Sequence, residues 1–418
     1  MHKSNLPNII SSSHNEVIQS FLIYDKLIFL GLRNGFIEIF EHKTYKKIGE
    51  ILSLFDNEPK KDAKELKFNP HSNQIVCLSL IEEKLETKDI IVYIQSRGGI
   101  IFIINYNTND NKFKLLNKYD TKIEGFLGFF ISNKIYNKLW EQKIKNVKSE
   151  SLYKILSPLE KENEIDILFY DINDNNFDKI NQNFDYIIDE DGQKILDVYK
   201  DMESKIFQII PLSKNDFSKY GNYIVMIYEK TLIFILDENM NYVSHYSISF
   251  SLKLYEAMIN VYSFEFNKCY FICIGLFSKN LIVLKFSPEK NELNFYKNIQ
   301  NICPEIKYGI SCFTIGVVKN DDLFVDEDLI KNQFLLFVGT YSKRVKIFEI
   351  NLNDILIGDK NENKINENII ESKEKDNIIF NDLGNLIVDN SGSINQIEFF
   401  DGYLFVACDR KIIYIYSI

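Results

Sequence analysis

Four arginines are the residues of this 418-residue chain best placed to do chemistry. Arg33, Arg97, Arg344 and Arg410 are the only arginines among 49 basic residues, and each falls in a short polar tip between two apolar runs. The segments are LIFLGLRNGFIEIFE (27–41), IIVYIQSRGGIIFIIN (90–105), FLLFVGTYSKRVKIFE (334–349) and YLFVACDRKIIYIYS (403–417). A guanidinium presents a flat fork of N–H donors that fits a carboxylate or a phosphate. The chemistry on offer is therefore anion recognition. Lys230, Lys279 and Lys343 stand in tips of the same kind, whereas one tip carries Glu162 and Glu164 instead. The candidate partner-binding set is Arg33, Arg97, Lys230, Lys279, Lys343, Arg344 and Arg410. The competing reading is that solvated tips simply favour charge.

Other chemistries find little support. Cys269 and Cys273 are four apart, which on a strand sets them about 13 Å from one another. Zinc ligands converge to about 2.3 Å from one ion, so this spacing reads as core. His2, His42, His71 and His245 follow no ligand pattern, and His14 reads as structural. No Gly-x-Ser-x-Gly elbow and no phosphate-binding Gly-x-x-x-x-Gly-Lys loop occurs. Carboxylate groups such as Asp189-Glu190-Asp191 and Glu82-Glu83 are expected in polar connectors, not in the partly desolvated setting that acid–base work needs. The expectation is a non-enzyme with no cofactor and no metal.

Composition sets the frame. With 45% hydrophobic residues, 33 Phe and 24 Tyr, the chain can bury a large core, and its apolar set favours strands. A net charge of −10 disfavours non-specific nucleic-acid binding over the whole surface. No apolar run is long enough for a membrane-spanning helix, and the N-terminus lacks the apolar centre of a secretory signal. Six cysteines, mostly inside apolar runs, suggest a reduced intracellular protein, cytoplasmic or nuclear.

The elements that position the tips recur. Gap-free alignment on Gly31–Phe40 finds seven copies of the strand–tip–strand unit, ending at Phe40, Ile104, Tyr170, Leu236, Leu284, Phe348 and Tyr416. A further β-like run precedes most copies (Val17–Ile23, Ile75–Leu80, Ile123–Phe129, Ile206–Ile210, Val261–Phe266, Ile310–Val317, Ile394–Phe399). A fourth follows some of them, as at Tyr45–Leu52, Phe113–Leu116, Tyr242–Ile248 and Leu293–Asn298. Four antiparallel strands repeated seven times predict an all-β, seven-bladed β-propeller spanning 1–418 as a single domain. The last copy stops after its third strand, so Leu6–Ile10 is predicted to supply the missing outer strand and close the ring. Inserts are expected at about 133–160, 171–204 and 351–382, the first containing a short amphipathic helix at 133–147 with Trp140. A six-bladed ring with an insertion at 131–204 is the alternative. Asp321, Asp322, Asp326, Glu327 and Asp328 make an acidic loop expected on the face opposite the tips.

The repeat resembles the WD40 family over nearly the whole chain. Where that family ends its third strand in Trp-Asp, this chain has Phe40-Glu41, Ile104-Asn105, Tyr170-Asp171, Leu236-Asp237, Leu284-Lys285, Phe348-Glu349 and Tyr416-Ser417. Ser13-His14 echoes the family's Gly-His, and Asn34 is the nearest substitute for its tip aspartate. The resemblance implies that hydrophobic packing replaces the family's hydrogen-bond tetrad. Within the family, segments 91–107, 308–318 and 393–417 resemble the ASTRA-associated protein 1 and G-protein β-subunit-like 1 group. That likeness implies a scaffold assisting assembly of large PI3K-like kinases. The expected function is a non-catalytic scaffold for protein–protein interactions in an intracellular multiprotein complex. The alternative is a propeller binding phosphoinositide or nucleic acid through the basic rim.

Overall fold

A computed structural model of the chain describes residues 7–52, 54–55, 73–84, 89–120, 158–161, 164–171, 176–182, 206–212, 224–228, 232–237, 242–248, 258–266, 269–304, 309–319, 332–351, 379–388, 392–408 and 410–418. Chain order begins with β1 (Asn8–Ser11), which belongs to the last sheet. Blade one is β2 (Ile18–Tyr24), β3 (Leu27–Leu32), β4 (Ile37–Glu41) and β5 (Lys47–Ile51). Blade two is β6 (Ile75–Lys84), β7 (Asp89–Ser96), β8 (Ile100–Asn107) and β9 (Lys112–Asp120). The third sheet holds β10 (Pro158–Lys161), β11 (Glu164–Asp171) and β12 (Asn176–Gln182). Blade four is β13 (Ile206–Pro211), β14 (Ile224–Tyr228), β15 (Leu232–Leu236) and β16 (Tyr242–Ser247). Blade five is β17 (Met258–Phe266), β18 (Cys269–Leu276), β19 (Leu281–Ser287) and β20 (Glu292–Ile299). Blade six is β21 (Ile310–Lys319), β22 (Asn332–Thr340), β23 (Arg344–Asn351) and β24 (Ile379–Ile387). Blade seven is β25 (Ile394–Phe400), β26 (Tyr403–Cys408) and β27 (Ile412–Ser417), completed by β1.

The burial pattern explains the sequence pattern. All six residues of β3 and all five of β15 are buried, because the middle strands of a blade have a neighbouring blade on each face. Outer strands alternate instead, as in β5. The first strands of the blades meet one another around the axis: β2 meets β6, β13 meets β17, β17 meets β21, β21 meets β25, and β25 returns to β2. Strand β1 closes the ring as the sequence predicts, pairing antiparallel with β27 from Asn8↔Ile415 to Ser11↔Ile412.

A packing rule repeats between blades. Glycine stands one residue before the end of β3, β18 and β22, and the next blade's leading isoleucine fills the space. A Cβ on Gly31 would lie 2.6 Å from Ile75 Cγ2, and one on Gly275 2.5 Å from Ile310 Cγ2. On Gly339 it would lie 3.1 Å from Ile394 Cγ2 and would collide with Cys312 Sγ. All three isoleucines are fully buried. A bulge also recurs one step into each described first strand, at Ile18/Ser20, Ile75/Cys77, Ile206/Gln208, Met258/Asn260, Ile310/Cys312 and Ile394/Gln396. It strengthens the local twist at the same depth in each blade.

Two expected inserts contain strands. β12 lies within 171–204 and pairs with β11 from Ile165↔Gln182 to Asp171↔Asn176, and β24 begins inside 351–382. An outer strand has water on one side, so polar residues suit it and leave little apolar signal. The sheet β10–β12 also occupies part of 131–204, the span a six-bladed ring would treat as insertion. The run expected at 123–129, the helix with Trp140 and the acidic loop at 321–328 lie outside the described residues.

Candidate functional site

Backbone hydrogen bonds tie the described tips to the connectors between blades, at the first or third tip position and in blade six at both. At the first tip position, Arg33 N–H donates to Val17 O at 2.9 Å, Arg97 N–H to Gln74 O at 2.8 Å and Tyr341 N–H to Gly309 O at 3.1 Å. At the third position, Lys279 O accepts from Ile302 N–H at 3.1 Å, Lys343 O from Val388 N–H at 3.0 Å and Lys411 O from Ser12 N–H at 2.8 Å. Each such tip therefore lies on the face crossed by the connectors. The third position also needs a left-handed backbone, with φ of 90° at Gly35, 83° at Gly99, 74° at Lys279 and 48° at Lys343. Glycine adopts it freely, whereas lysine does so at a steric cost.

The predicted cations take neighbouring places in this frame. Arg33 and Arg97 hold the first position, Arg410 the second, Lys279 and Lys343 the third, and Arg344 the fourth, where β23 begins. Lys343 and Arg410 are exposed; Arg33, Arg97, Lys279 and Arg344 are half-buried. The Arg97 guanidinium reaches Gln74 Oε1 at 3.5 Å. Lys411, which sequence reasoning passed over, adds a cation in blade seven and donates to Asn15 Oδ1 at 2.5 Å. Lys230 lies outside the described residues.

Beside the tip of blade one is a polar cluster that the resemblance to the family did not predict. The Glu38 side chain is fully buried, yet it accepts from Ser13 N–H at 3.0 Å, from Ser13 Oγ, and from Lys47 Nζ at 3.2 Å. Lys47 also bonds Glu50, and His14 Nε2 lies 3.1 Å from Glu50 Oε2 and 3.9 Å from Glu38 Oε1. Asn34 does not take the family aspartate's part; its Oδ1 accepts from Phe36 N–H at 3.0 Å within the tip. Hydrophobic packing therefore does not replace the polar tetrad in this blade. A different polar set does, because a carboxylate placed mid-strand must find partners once buried. The hydrogen bonds from Lys47 and then His14 hold the Glu50 carboxyl below its usual range. Burial alone would lower the Lys47 pKa, but its bonds to Glu50 and Glu38 win and raise it. The signal in the sequence was Glu38 itself, an acid inside the apolar run FIEIF.

Reactive groups are muted. None of the six cysteines is in a disulfide, and burial pushes the Cys273 and Cys312 thiols up to about 12, so both stay protonated. Among the described residues, no three His, Cys, Asp or Glu side chains are arranged to hold a metal ion, and no helix is long and apolar enough to cross a membrane.

No protein-family profile and no curated protein matches the chain. Solved structures do. The β-propeller domain of Myceliophteria thermophila Cps50 (Swd1) aligns over 99% of this chain and 99% of its own, with a TM-score of 0.57 and 10% identity. Chaetomium thermophilum Raptor aligns over 99% of this chain with a TM-score of 0.57 and 12% identity, but only 29% of Raptor is covered. Saccharomyces cerevisiae Sqt1 gives a TM-score of 0.52 and 7% identity over 99% of this chain and 86% of its own. At such identities the likeness establishes the fold, a WD40-like β-propeller.

Proposed function

We propose that this chain is a non-catalytic scaffold that joins other proteins into an intracellular complex, using the rim of cationic tips as one docking face. The observation that carries the reading is the backbone tethering of the tips to the connectors between blades. Arg33 and Arg97 are tied to the connector entering their blade, and Lys279 and Lys343 to the connector leaving theirs. Side chains on pre-ordered backbone lose less freedom on binding, which favours recognition over mere solvation. Guanidinium and ammonium groups spread over several blades suit an acidic protein segment. A narrower role, assisting assembly of large PI3K-like kinases, rests on the resemblance carried by 91–107, 308–318 and 393–417.

Affinity purification of the full chain from its own cells, with high-salt washing, tests this reading. Stoichiometric proteins that persist through the wash support it. Salt-sensitive capture of anionic liposomes or RNA, with no stoichiometric protein, would favour the phosphoinositide or nucleic-acid alternative instead.

A further inference from the structure

Among the described residues, Phe277 is the one large hydrophobic that the tips expose. It stands at the first tip position of blade five and is 51% exposed. The other exposed large hydrophobics of the described residues lie on outer strands or at their ends, as Ile9, Phe295 and Ile387 do. A single exposed ring is ordinary on any surface. What marks this one is its setting.

The tip that carries Phe277 is a closed turn, with Leu276 N–H donating to Asn280 O at 3.0 Å and Lys279 N–H to Leu276 O at 3.2 Å. Asn280 Oδ1 accepts from Asn301 N–H at 3.0 Å, a second bond from this tip to the connector leaving blade five. That connector ends at buried Gly309, which is wedged between two tips. A Cβ on Gly309 would lie 2.5 Å from the backbone oxygens of Leu276 and Phe277, and Gly309 O accepts from Tyr341 N–H at 3.1 Å. One glycine therefore separates the first tip positions of blades five and six, Phe277 and half-buried Tyr341. Both tips are cationic: one has Lys279, the other Lys343 and Arg344, and neither 277–280 nor 341–344 contains a carboxylate. Among the described residues none of these three cations has an ion-pair partner, unlike Lys47 and Lys346.

We propose that this junction of blades five and six is the anchor site of the cationic rim, taking a short acidic segment of another protein that carries one large apolar side chain. The proposal rests on the scaffold reading above and narrows it to one place and one chemistry. The apolar side chain packs on Phe277, and the carboxylates flanking it meet Lys279, Lys343 and Arg344. Aromatic and arginine side chains dominate binding energy at protein interfaces, and a backbone already fixed loses little freedom on binding. A long polyanion would meet the field of the whole chain, whose net charge is −10. A short acidic segment meets mainly the cations within a screening length of about 8 Å.

A displayed library of random short peptides, selected on the immobilised full chain, tests the proposal. The expected result is enrichment of peptides with one large apolar residue flanked by Asp and Glu. A fluorescein-labelled copy of the most enriched peptide then reads affinity by anisotropy. Phe277→Ser should weaken binding about tenfold or more. Phe295→Ser, which removes a ring of similar exposure from the outer strand of the same blade, should leave it unchanged. Lys279→Asn with Lys343→Asn removes two charges and keeps a residue type that tolerates the left-handed backbone. That pair should weaken binding and flatten its salt dependence. Circular dichroism establishes that each variant is folded. No enrichment, enrichment without that pattern, or affinity indifferent to Phe277→Ser would overturn the proposal. So would Phe277-dependent binding of single-stranded oligouridylate tighter than that of any peptide. Stoichiometric proteins that co-purify equally with wild type and Phe277→Ser would sink the site while leaving the scaffold reading intact. No stoichiometric protein with the wild type would sink the scaffold reading itself.

Discussion

Gln396 holds both backbone groups of Phe21: its Oε1 accepts from Phe21 N–H at 2.9 Å, and its Nε2 donates to Phe21 O at 2.9 Å. The side-chain amide acts as a short piece of strand laid from blade seven onto the inner edge of blade one. Asn395 Nδ2 adds a longer contact of 3.4 Å to Ile18 O. Together with β1 pairing to β27 outside, the seam is fastened at its inner and outer edges. Gln396→Ala should lower stability by about 1–3 kcal/mol, because it strands two polar groups in a half-buried seam. Denaturant titration measures this, and no change in midpoint would show that the stitch adds nothing.

The glycine-to-isoleucine packing rule predicts a selective intolerance. Gly31→Ala places a Cβ 2.6 Å from Ile75 Cγ2, and overpacking of this kind costs about 1–3 kcal/mol. Gly275→Ala should behave alike. Ala407 occupies the corresponding place in blade seven and packs in one cluster with buried Ile18, so there a Cβ is already accommodated. Thermal melts of these variants, beside Ala407→Gly as a milder case, check the rule.

His42 predicts the response to acid. It is 4% exposed, with ring centroids 5.3 Å from Phe400, 5.5 Å from Phe405, and 6.4 Å from both Tyr403 and Tyr45. Its Nε2 is buried without a hydrogen-bond partner among the described residues. Burial lowers its pKa below 6.5, Lys43 acts the same way, and Asp401 and Asp25 only partly oppose them. The unfolded chain therefore takes up this proton more readily than the folded one. The His42 contribution is intact above 6.5 and is lost as pH falls below it toward the folded value. Urea titrations at about pH 8 and about pH 5 should show a loss at the lower pH that is smaller in His42→Phe. An equal loss in both proteins would place the acid sensitivity elsewhere.

The charged cluster of blade one predicts non-additivity. Lys47→Met leaves the fully buried Glu38 carboxylate without its cation, a change that costs about 3–5 kcal/mol in buried pairs. Glu38→Gln in the same background removes the stranded charge and should recover part of that loss. Additive losses in the double-mutant cycle would mean that the two groups are not coupled.

The repeat was legible because middle strands buried on both faces, such as β3 and β15, leave continuous apolar runs. The closing strand was legible too, within a residue or two, since the last copy lacked an outer strand and an apolar run stood ready at the other end. β12 was hidden by polar composition. β24 was hidden because its bulge at Leu383 breaks the two-residue alternation that marks a strand. The Gln396–Phe21 stitch spans 375 positions, and no local pattern announces a contact at that range. Of the candidate site, the tip positions could be read from register alone. The tethers to the connectors could not, because they are backbone bonds without a residue signature.

The most direct test of the scaffold reading is quantitative affinity purification of the full chain beside a variant with Arg33, Arg97, Arg344 and Arg410 all changed to Glu. Circular dichroism and the melting temperature serve to establish that both are folded. The proteins captured by the wild type should be lost from the folded variant. Recovery of the same proteins in the same amounts would contradict that reading.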